Sequence, residues 1–423
     1  MDNAISYVTG LFRTERNKRN IERMAEETGS KYQNQQQFIS DSPWSARELM
    51  DQLGVDTNNV LGDKAHQALS IDESSNGKVG KHSVGVSHQY NGNKGKNDNC
   101  QTGVYASLSR GNKVCLIATK LFLPDEWIED PGRCAKAGIP KEAIVKKTKI
   151  ELGLELIREA VDNGIEFGWI NGDGFYGNSF EFCKTIEELD KKFVLDVHKD
   201  QRVYLTEPKI TVPPKEGSRG RKPTRLVADQ KPVEVQDYIK TLRPSDFQEV
   251  KIRKGTKGWL MAKVHIASVW VWDHEESQAR PRTLIIRKPI KKKDEVKYCL
   301  SNFTTKEKTA QEFAFMQAQR FWIERAFEDG KGEIGMSDYQ IRKYTAWYHH
   351  QALVMLAMLY VIKQRIAHQE KIPLLSVRDV RLQIIAMLKE GGAHIEKEID
   401  KMIIRHGQRA YDIQRYYPDN DYF

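Results

Sequence analysis

In the run RFWIERAFEDGK, Arg320 stands four residues before Glu324, and Lys331 seven after it. On a helix, steps of four and seven return to nearly the same face. The stretch would therefore show a base, an acid and a base in a row, beside an apolar stripe of Phe313, Phe315, Met316, Phe321, Ile323 and Phe327. Two chemistries fit that pattern. One is a solvated helix face with ordinary ion pairs. The other is a carboxylate that holds a metal ion, flanked by cations that meet phosphates. Two more carboxylates stand at the ends of strand-like runs: Asp72 after ALSI and Asp173 after FGWING. Separations of 101 and 151 residues along the chain mean nothing locally. They make sense if adjacent strands and a packed helix gather the three side chains. Three hard oxygen donors would suit Mg²⁺ or Mn²⁺. Two such ions about 4 Å apart activate a water or a 3′-hydroxyl and stabilise the leaving oxygen in in-line phosphoryl transfer.

The elements that must position these acids can be read from periodicity and punctuation. Residues 1 to about 60 look helical and polar, with Ser42-Pro43 as a helix start and Gly54 as its close. Strands are expected at 68–72, 102–108 and 114–121, the last two joined by the turn Arg110-Gly111-Asn112. A loop or hairpin fills the Gly-, Ser-, Lys- and Asn-rich stretch before Asn99. A helix from Lys149 to Asn163, a strand from Phe167 to Ile170, a helix over 179–189 and a strand from Phe193 to Val197 complete an α/β layer pattern. Beyond His198 the texture turns loop- and strand-rich, with strands at 259–272 and 283–287. One long helix starting near Thr305 is then expected to carry Glu324. A second, apolar helix covers 339–368, and a helical tail follows from Ser376. The division expected is a helical N-terminal domain over 1–62, an α/β core over 63–199, a β-rich insertion over 200–303, the Glu324 segment over 304–368 and a tail over 369–423.

Composition narrows the class. The chain has 423 residues, 39% hydrophobic and 30% charged, enough for two or three domains with a sizeable core. No apolar run reaches the length of a membrane span, and the N-terminus lacks the apolar core of a signal peptide. Five scattered cysteines form no Cys-x-x-Cys pair, which points to reduced thiols, a cytoplasmic setting and no structural zinc. The net charge is +9. Residues 201–300 hold 23 Lys and Arg against 12 Asp and Glu, a local net of +11, and the remainder sums to −2. A basic middle on a near-neutral body implies a polyanionic partner, nucleic acid first. Arg219-Gly220-Arg221-Lys222-Pro223 is a short extended basic run of the type that enters a narrow minor groove; a mobile basic loop reads the same way. Lys291, Lys292 and Lys293 form a second basic run. Trp259, Trp270 and Trp272 could stack on bases or lie in a core. His349-His350 resembles a metal pair only superficially, since adjacent helix residues face different ways.

The order of elements, with acids on the first and fourth strands and on a following helix, resembles the ribonuclease H-like fold. The motifs are similar to those of DDE transposases of bacterial insertion sequences, most closely the insertion-sequence-701-like group allied to the insertion-sequence-4-like enzymes. Gly80-Lys81-His82-Ser83-Val84-Gly85-Val86, then Gln89-Tyr90, Gly95-Lys96 and Asn99-Cys100-Gln101, resembles the stretch after the first Asp. Asp173-Gly174-Phe175-Tyr176-Gly177 resembles the second-Asp motif. Arg320, Glu324 and Lys331 fit a signature of Tyr, two residues, Arg, three residues, Glu, six residues, Lys. Two departures stand out: Gln317 occupies the Tyr position, and Asp72-Glu73-Ser74 replaces the usual Asp-Asp-Thr.

The resemblance implies a transposase that cleaves DNA at transposon ends and transfers strands into target DNA, using Asp72, Asp173 and Glu324 to bind two Mg²⁺ or Mn²⁺ ions. Glu73 is the fallback for the first ligand. It implies DNA or phosphate contact by Arg320, Lys331, Lys81 and His82, and end-DNA binding by the basic insertion with Arg219, Arg221, Lys222 and Lys291 to Lys293. One of the three Trp would hold a flipped base. Double-stranded DNA with terminal inverted repeats, a homodimer on DNA and a nucleoid-associated setting in the bacterial cytoplasm complete the expectation. The rival classes are a domesticated DNA-binding protein without chemistry and a stand-alone nuclease of the same fold.

Overall fold

The computed structural model describes residues 2–92, 94–214, 222–255, 258–290, 296–390 and 395–416. Its chain divides into two compact units, residues 1–168 with 321–421 and residues 169–320.

The first unit opens with helices α1 (Asp2–Arg13), α2 (Ile21–Thr28), α3 (Tyr32–Ser40) and α4 (Ala46–Leu61). The expected start at Ser42-Pro43 is corrected. Ser42 still bonds back to Gln37 at the end of α3, and Ser45 is the cap, its hydroxyl accepting from the Glu48 N–H at 3.1 Å. Nor does Gly54 end α4. It is buried mid-helix, and a Cβ there would lie 2.7 Å from Ile165 Cδ1, so close packing explains the glycine.

Strands β1 (Ala68–Gly77), β2 (Ser87–Asn91), β3 (Lys96–Arg110) and β4 (Lys113–Leu121) follow, with β3 pairing antiparallel to the other three. The Gly- and Asn-rich stretch is thus the end of β1, a loop over 78–86 and a β2–β3 hairpin. β1 continues five residues past Asp72, which lies within the strand rather than at its end. Short helices α5 (Asp125–Ile128) and α6 (Pro131–Ala137) lead to α7 (Lys149–Asp162), begun by a Thr148–Glu151 capping box.

The second unit contains β5 (Trp169–Gly172), α8 (Gly174–Gly177), α9 (Phe180–Glu188) and β6 (Phe193–Val197), with β5 and β6 parallel. The β-rich stretch comes next: short strands β7 (Arg202–Val203), β8 (Ile210–Thr211), β9 (Val227–Ala228) and β10 (Val233–Glu234), helix α10 (Val235–Tyr238), then β11 (Gln248–Gly255), β12 (Gly258–Val271), β13 (Arg280–Pro289) and β14 (Lys297–Ser301). The order β11-β12-β13-β14-β6-β5 is antiparallel up to the β6–β5 pair. A small core of Val197, Val203, Val235, Val269, Val271, Leu284, Ile286 and Leu300 fills this stretch. Helix α11 (Ala310–Ala318) packs on β6, β11, β12 and β13.

The single long helix expected from Thr305 is also corrected. It is broken at Gln319-Arg320 and resumes in the first unit as α12 (Phe321–Asp329), which runs into a π-helical turn at Gly330–Ile334. Helices α13 (Tyr344–Ala367), α14 (Val377–Glu390) and α15 (Ile395–Tyr416) close the chain. The architecture is mixed α/β with flanking helices and helical segments at both ends, in agreement with a ribonuclease H-like fold. Among the described residues no helix is long and apolar enough to cross a membrane, and all five cysteines are buried thiols.

Candidate active site and nucleic-acid interface

Side chains alternate faces along a strand, and β1 uses this to separate its two acids. Glu73 turns to α7, where the Lys149 ammonium lies 3.3 Å from its carboxylate. Asp72 lies on the side of Lys331, whose ammonium it supports electrostatically. Burial pushes Lys331 down to about 8, and the Asp72 carboxylate works against that. Lys331 sits in the π-helical turn with its Nζ 5.9 Å from the centre of the Phe327 ring. A wider turn adds a residue per winding, so the α-helical count of seven from Glu324 does not set its direction.

Helix α12 is anchored by Ile323, Ala326 and Phe327, all buried, with Phe327 edge-on to Tyr105 of β3 at 5.3 Å. It packs on β1, β3 and β4 and presents Glu324 as an exposed side chain. The other acids of the segment have structural roles. Glu312 closes the capping box of α11. Glu328 and Asp329 pair with Arg325 at 3.1 and 2.8 Å. Glu333 faces Arg381 at 3.5 Å.

In the second unit, Asp173 caps α8, its Oδ1 accepting from the Phe175 N–H at 2.9 Å. The glycines of Asp-Gly-Phe-Tyr-Gly have a steric cause. A Cβ on Gly177 would lie 1.9 Å from the Asp196 carbonyl oxygen, and one on Gly174 would meet the His198 ring at 2.5 Å. Only bare backbone lets α8 sit this close to β6. Arg320 lies in the turn after α11 with its Nε donating to Asp196 Oδ2 at 3.0 Å, and Gln317 Nε2 donates to Asp196 Oδ1 at 2.9 Å.

The loop between β1 and β2 is held from several sides. Arg133 donates to the carbonyls of Lys81 and Val86, both at 3.0 Å, while its guanidinium stacks 3.9 Å over the Trp127 ring. Trp127 Nε1 donates to Val86 O at 2.9 Å, and Asn99 Nδ2 to Gly80 O at 3.1 Å. Lys81 and His82 are exposed on this fastened loop.

The three Trp of the insertion differ. Trp259 is 38% exposed at the start of β12, with Lys251 and Lys254 Nζ 5.4 and 5.5 Å from its ring. Trp270 and Trp272 are half-buried; Trp272 donates to Glu276 O at 2.7 Å and lies against His274. Lys222 is exposed, whereas Arg219, Arg221, Lys291, Lys292 and Lys293 lie outside the described residues. The adjacent histidines are packed into the first unit. His349 faces the carbonyls of Ile39 and Trp44 at 2.8 and 2.9 Å. His350 bonds Tyr7 at 2.8 Å, and burial pushes it down to about 3.

Sequence reasoning missed Asp196, Trp127 and Arg133. For Asp196 a signal existed: a lone carboxylate in the apolar strand FVLDV needs partners. For Arg133 and Trp127 there was none, because what they hold is backbone far away in sequence.

The fold and these motifs define a mixed α/β protein of the ribonuclease H-like class. The family model described as DDE superfamily endonuclease matches residues 3–259, more than half of the chain. The protein therefore belongs to the DDE superfamily endonucleases, a family of nuclease and transposase type that acts on DNA and generally uses divalent metals. The match takes in Asp72 and Asp173 and stops before Glu324. No curated protein matches the chain.

Proposed function

We propose that this protein is an insertion-sequence transposase of the insertion-sequence-701-like group, which cuts transposon ends and joins them to target DNA at the bacterial nucleoid. The observation that carries the reading is that the Glu324 helix, with Lys331 in the turn that follows it, packs on β1, the strand of Asp72. These two ends of the expected site belong to one compact unit, although the β-rich stretch separates them in sequence.

Asp72, Asp173 and Glu324 are the proposed ligands of two Mg²⁺ or Mn²⁺ ions. Among the described residues no three His, Cys, Asp or Glu form a group that would hold an ion. The assignment rests on donor chemistry, since carboxylate oxygens suit these hard ions, and on the motifs in which Asp173 and Glu324 stand. When bound, such ions supply an activated water or 3′-hydroxyl and neutralise charge on the leaving oxygen. Lys331 brings an ammonium to the Asp72 side of β1, where it would orient a DNA phosphate. Lys81 and His82 would meet the backbone from a loop that Arg133 and Asn99 keep fixed. Trp259, exposed between two lysines, is the preferred stacking residue for a base. The basic insertion 200–303 supplies sequence-independent affinity for the ends. Cutting two ends in concert calls for two active sites, hence a homodimer on DNA.

The test is cleavage of DNA carrying the inverted repeats that flank the gene, with Mg²⁺ or Mn²⁺, beside a gel shift of the same DNA. Asp72→Asn, Asp173→Asn and Glu324→Gln should bind and not cut, while Glu328→Gln should cut like wild type. Wild type that binds the ends and never cuts would mark a DNA-binding protein without chemistry. Cutting without regard to the repeats would mark a stand-alone nuclease. Trp259→Ala should weaken processing of the ends, whereas Trp272→Ala should act on stability instead.

A further inference from the structure

We propose that Asp196 is a positioning residue whose carboxylate fixes the Arg320 guanidinium for contact with a DNA phosphate, and that Gln317, at the signature's tyrosine position, works through Asp196 rather than on the DNA. The inference rests on the transposase reading, which gives Arg320 its phosphate contact, and it adds the side chains that hold the arginine in place.

Asp196 lies on β6, parallel to the strand that delivers Asp173. Gly172, the last residue of β5, stands opposite Leu195, so the residue after each is an aspartate. The two have different surroundings. Asp173 is used as a helix cap, whereas Asp196 is enclosed by donors. Its Oδ1 accepts from Gln317 Nε2 at 2.9 Å and from the Cys299 thiol at 3.0 Å, and its Oδ2 accepts from Arg320 Nε at 3.0 Å. Arg287 of β13 adds a second guanidinium whose charge Asp196 supports against burial.

Both oxygens are thus engaged by protein donors, which argues against Asp196 as a metal ligand. Its side chain is 15% exposed and that of Arg320 18%, so the arginine is anchored yet still reachable. An arginine tied through Nε has its plane set, and plane and direction are what a two-pronged phosphate contact requires. Gln317 Nε2 lies on the same carboxylate and so locks it from the other side.

The alternative is that Asp196 only balances charge, and the two roles predict opposite signs. Affinity for a short fluorescent DNA duplex is measured by anisotropy across a range of NaCl, with thermal unfolding of every variant alongside. If Asp196 positions Arg320, Asp196→Asn weakens binding by about fivefold, the size of one hydrogen-bonded contact. It then also lowers the salt slope by roughly 0.9, as Arg320→Ala does. Neither change should appear when Asp196→Asn is placed in the Arg320→Ala background. Gln317→Met leaves every charge in place and should give a smaller loss that also disappears with Arg320→Ala. It carries the same test should Asp196→Asn fail to fold. Tighter binding by Asp196→Asn, or losses that persist without Arg320, would overturn the proposal. Wild type that binds the duplex and never cuts DNA with Mg²⁺ or Mn²⁺ sinks the transposase reading while the Asp196 test still reads out on binding. A chain that does not bind DNA sinks both.

Discussion

Two strands of this protein each carry an aspartate that acts on a cation from residues 320–331, one through its field and one through a hydrogen bond. On β1, Asp72 supports Lys331, an ammonium that burial has brought down to about 8. On β6, Asp196 holds Arg320 through Nε, with Gln317 and Cys299 on the same carboxylate. On β1, burial makes a charge conditional although Asp72 supports it; on β6, the pairing makes a permanent charge directional. A lysine is a mobile point charge whose proton can leave, whereas an arginine keeps its charge and presents a planar fork. The lysine side is therefore where pH should act, and the arginine side is where geometry should.

The largest difference should appear on replacing the acids. Asp72→Asn is expected to lower metal-dependent DNA cleavage by roughly a thousandfold, since a ligand of the catalytic ions is worth several kcal/mol. Asp196→Asn should cost only about tenfold, because it loosens an arginine instead of a metal. Equal losses in single-turnover cleavage would dissolve the distinction.

Exchanging the cations comes next. Arg320→Lys should lose most of what Arg320→Ala loses, about tenfold in cleavage, since an ammonium cannot reproduce the fork held by Asp196. Lys331→Arg should retain much of the activity at pH 7 and keep it as pH rises. A Lys331→Arg variant as pH-sensitive as wild type would place the titration elsewhere.

A smaller effect should show in wild type itself. Raising pH from 7 to 9 carries Lys331 through its titration near 8, and the salt slope of duplex binding should fall by roughly 0.9, one phosphate contact. Stability should move with pH as well. The folded chain releases the Lys331 proton near 8 and the unfolded chain near 10.5. The buried ammonium thus opposes folding fully below pH 8, and the penalty fades as pH climbs toward 10.5. Lys331→Met should accordingly gain about 2 kcal/mol more, relative to wild type, at pH 7 than at pH 10 in denaturant melts. A gain that grows with pH would have the wrong sign.

Much of this was legible in the residues. The strands at 114–121 and 193–197, the helix from Lys149 and the turn at Gly111 follow from periodicity, caps and glycine, all local in origin. The +11 charge of 201–300 and the motif around Asp173 were equally plain. Local patterning misled where packing overruled it. Gly54 reads as a helix stop, yet its missing Cβ makes room for Ile165. The segment from Thr305 reads as one unbroken helix, yet it breaks at Gln319-Arg320, where Asp196 takes the arginine.

Sequence alone therefore determined which residue types are present, which segments become strand or helix, and that a basic, acid-bearing chain of this family should meet DNA. Only the tertiary structure decided that Glu73 pairs with Lys149, that the charge of Asp72 bears on Lys331, that Arg133 fastens a loop some fifty residues away in sequence, and that Gln317 and Arg320 share one carboxylate. Secondary structure follows from interactions within a few residues. The partner of a buried charge is chosen by which elements pack together, and the cost of leaving that charge alone makes the choice binding.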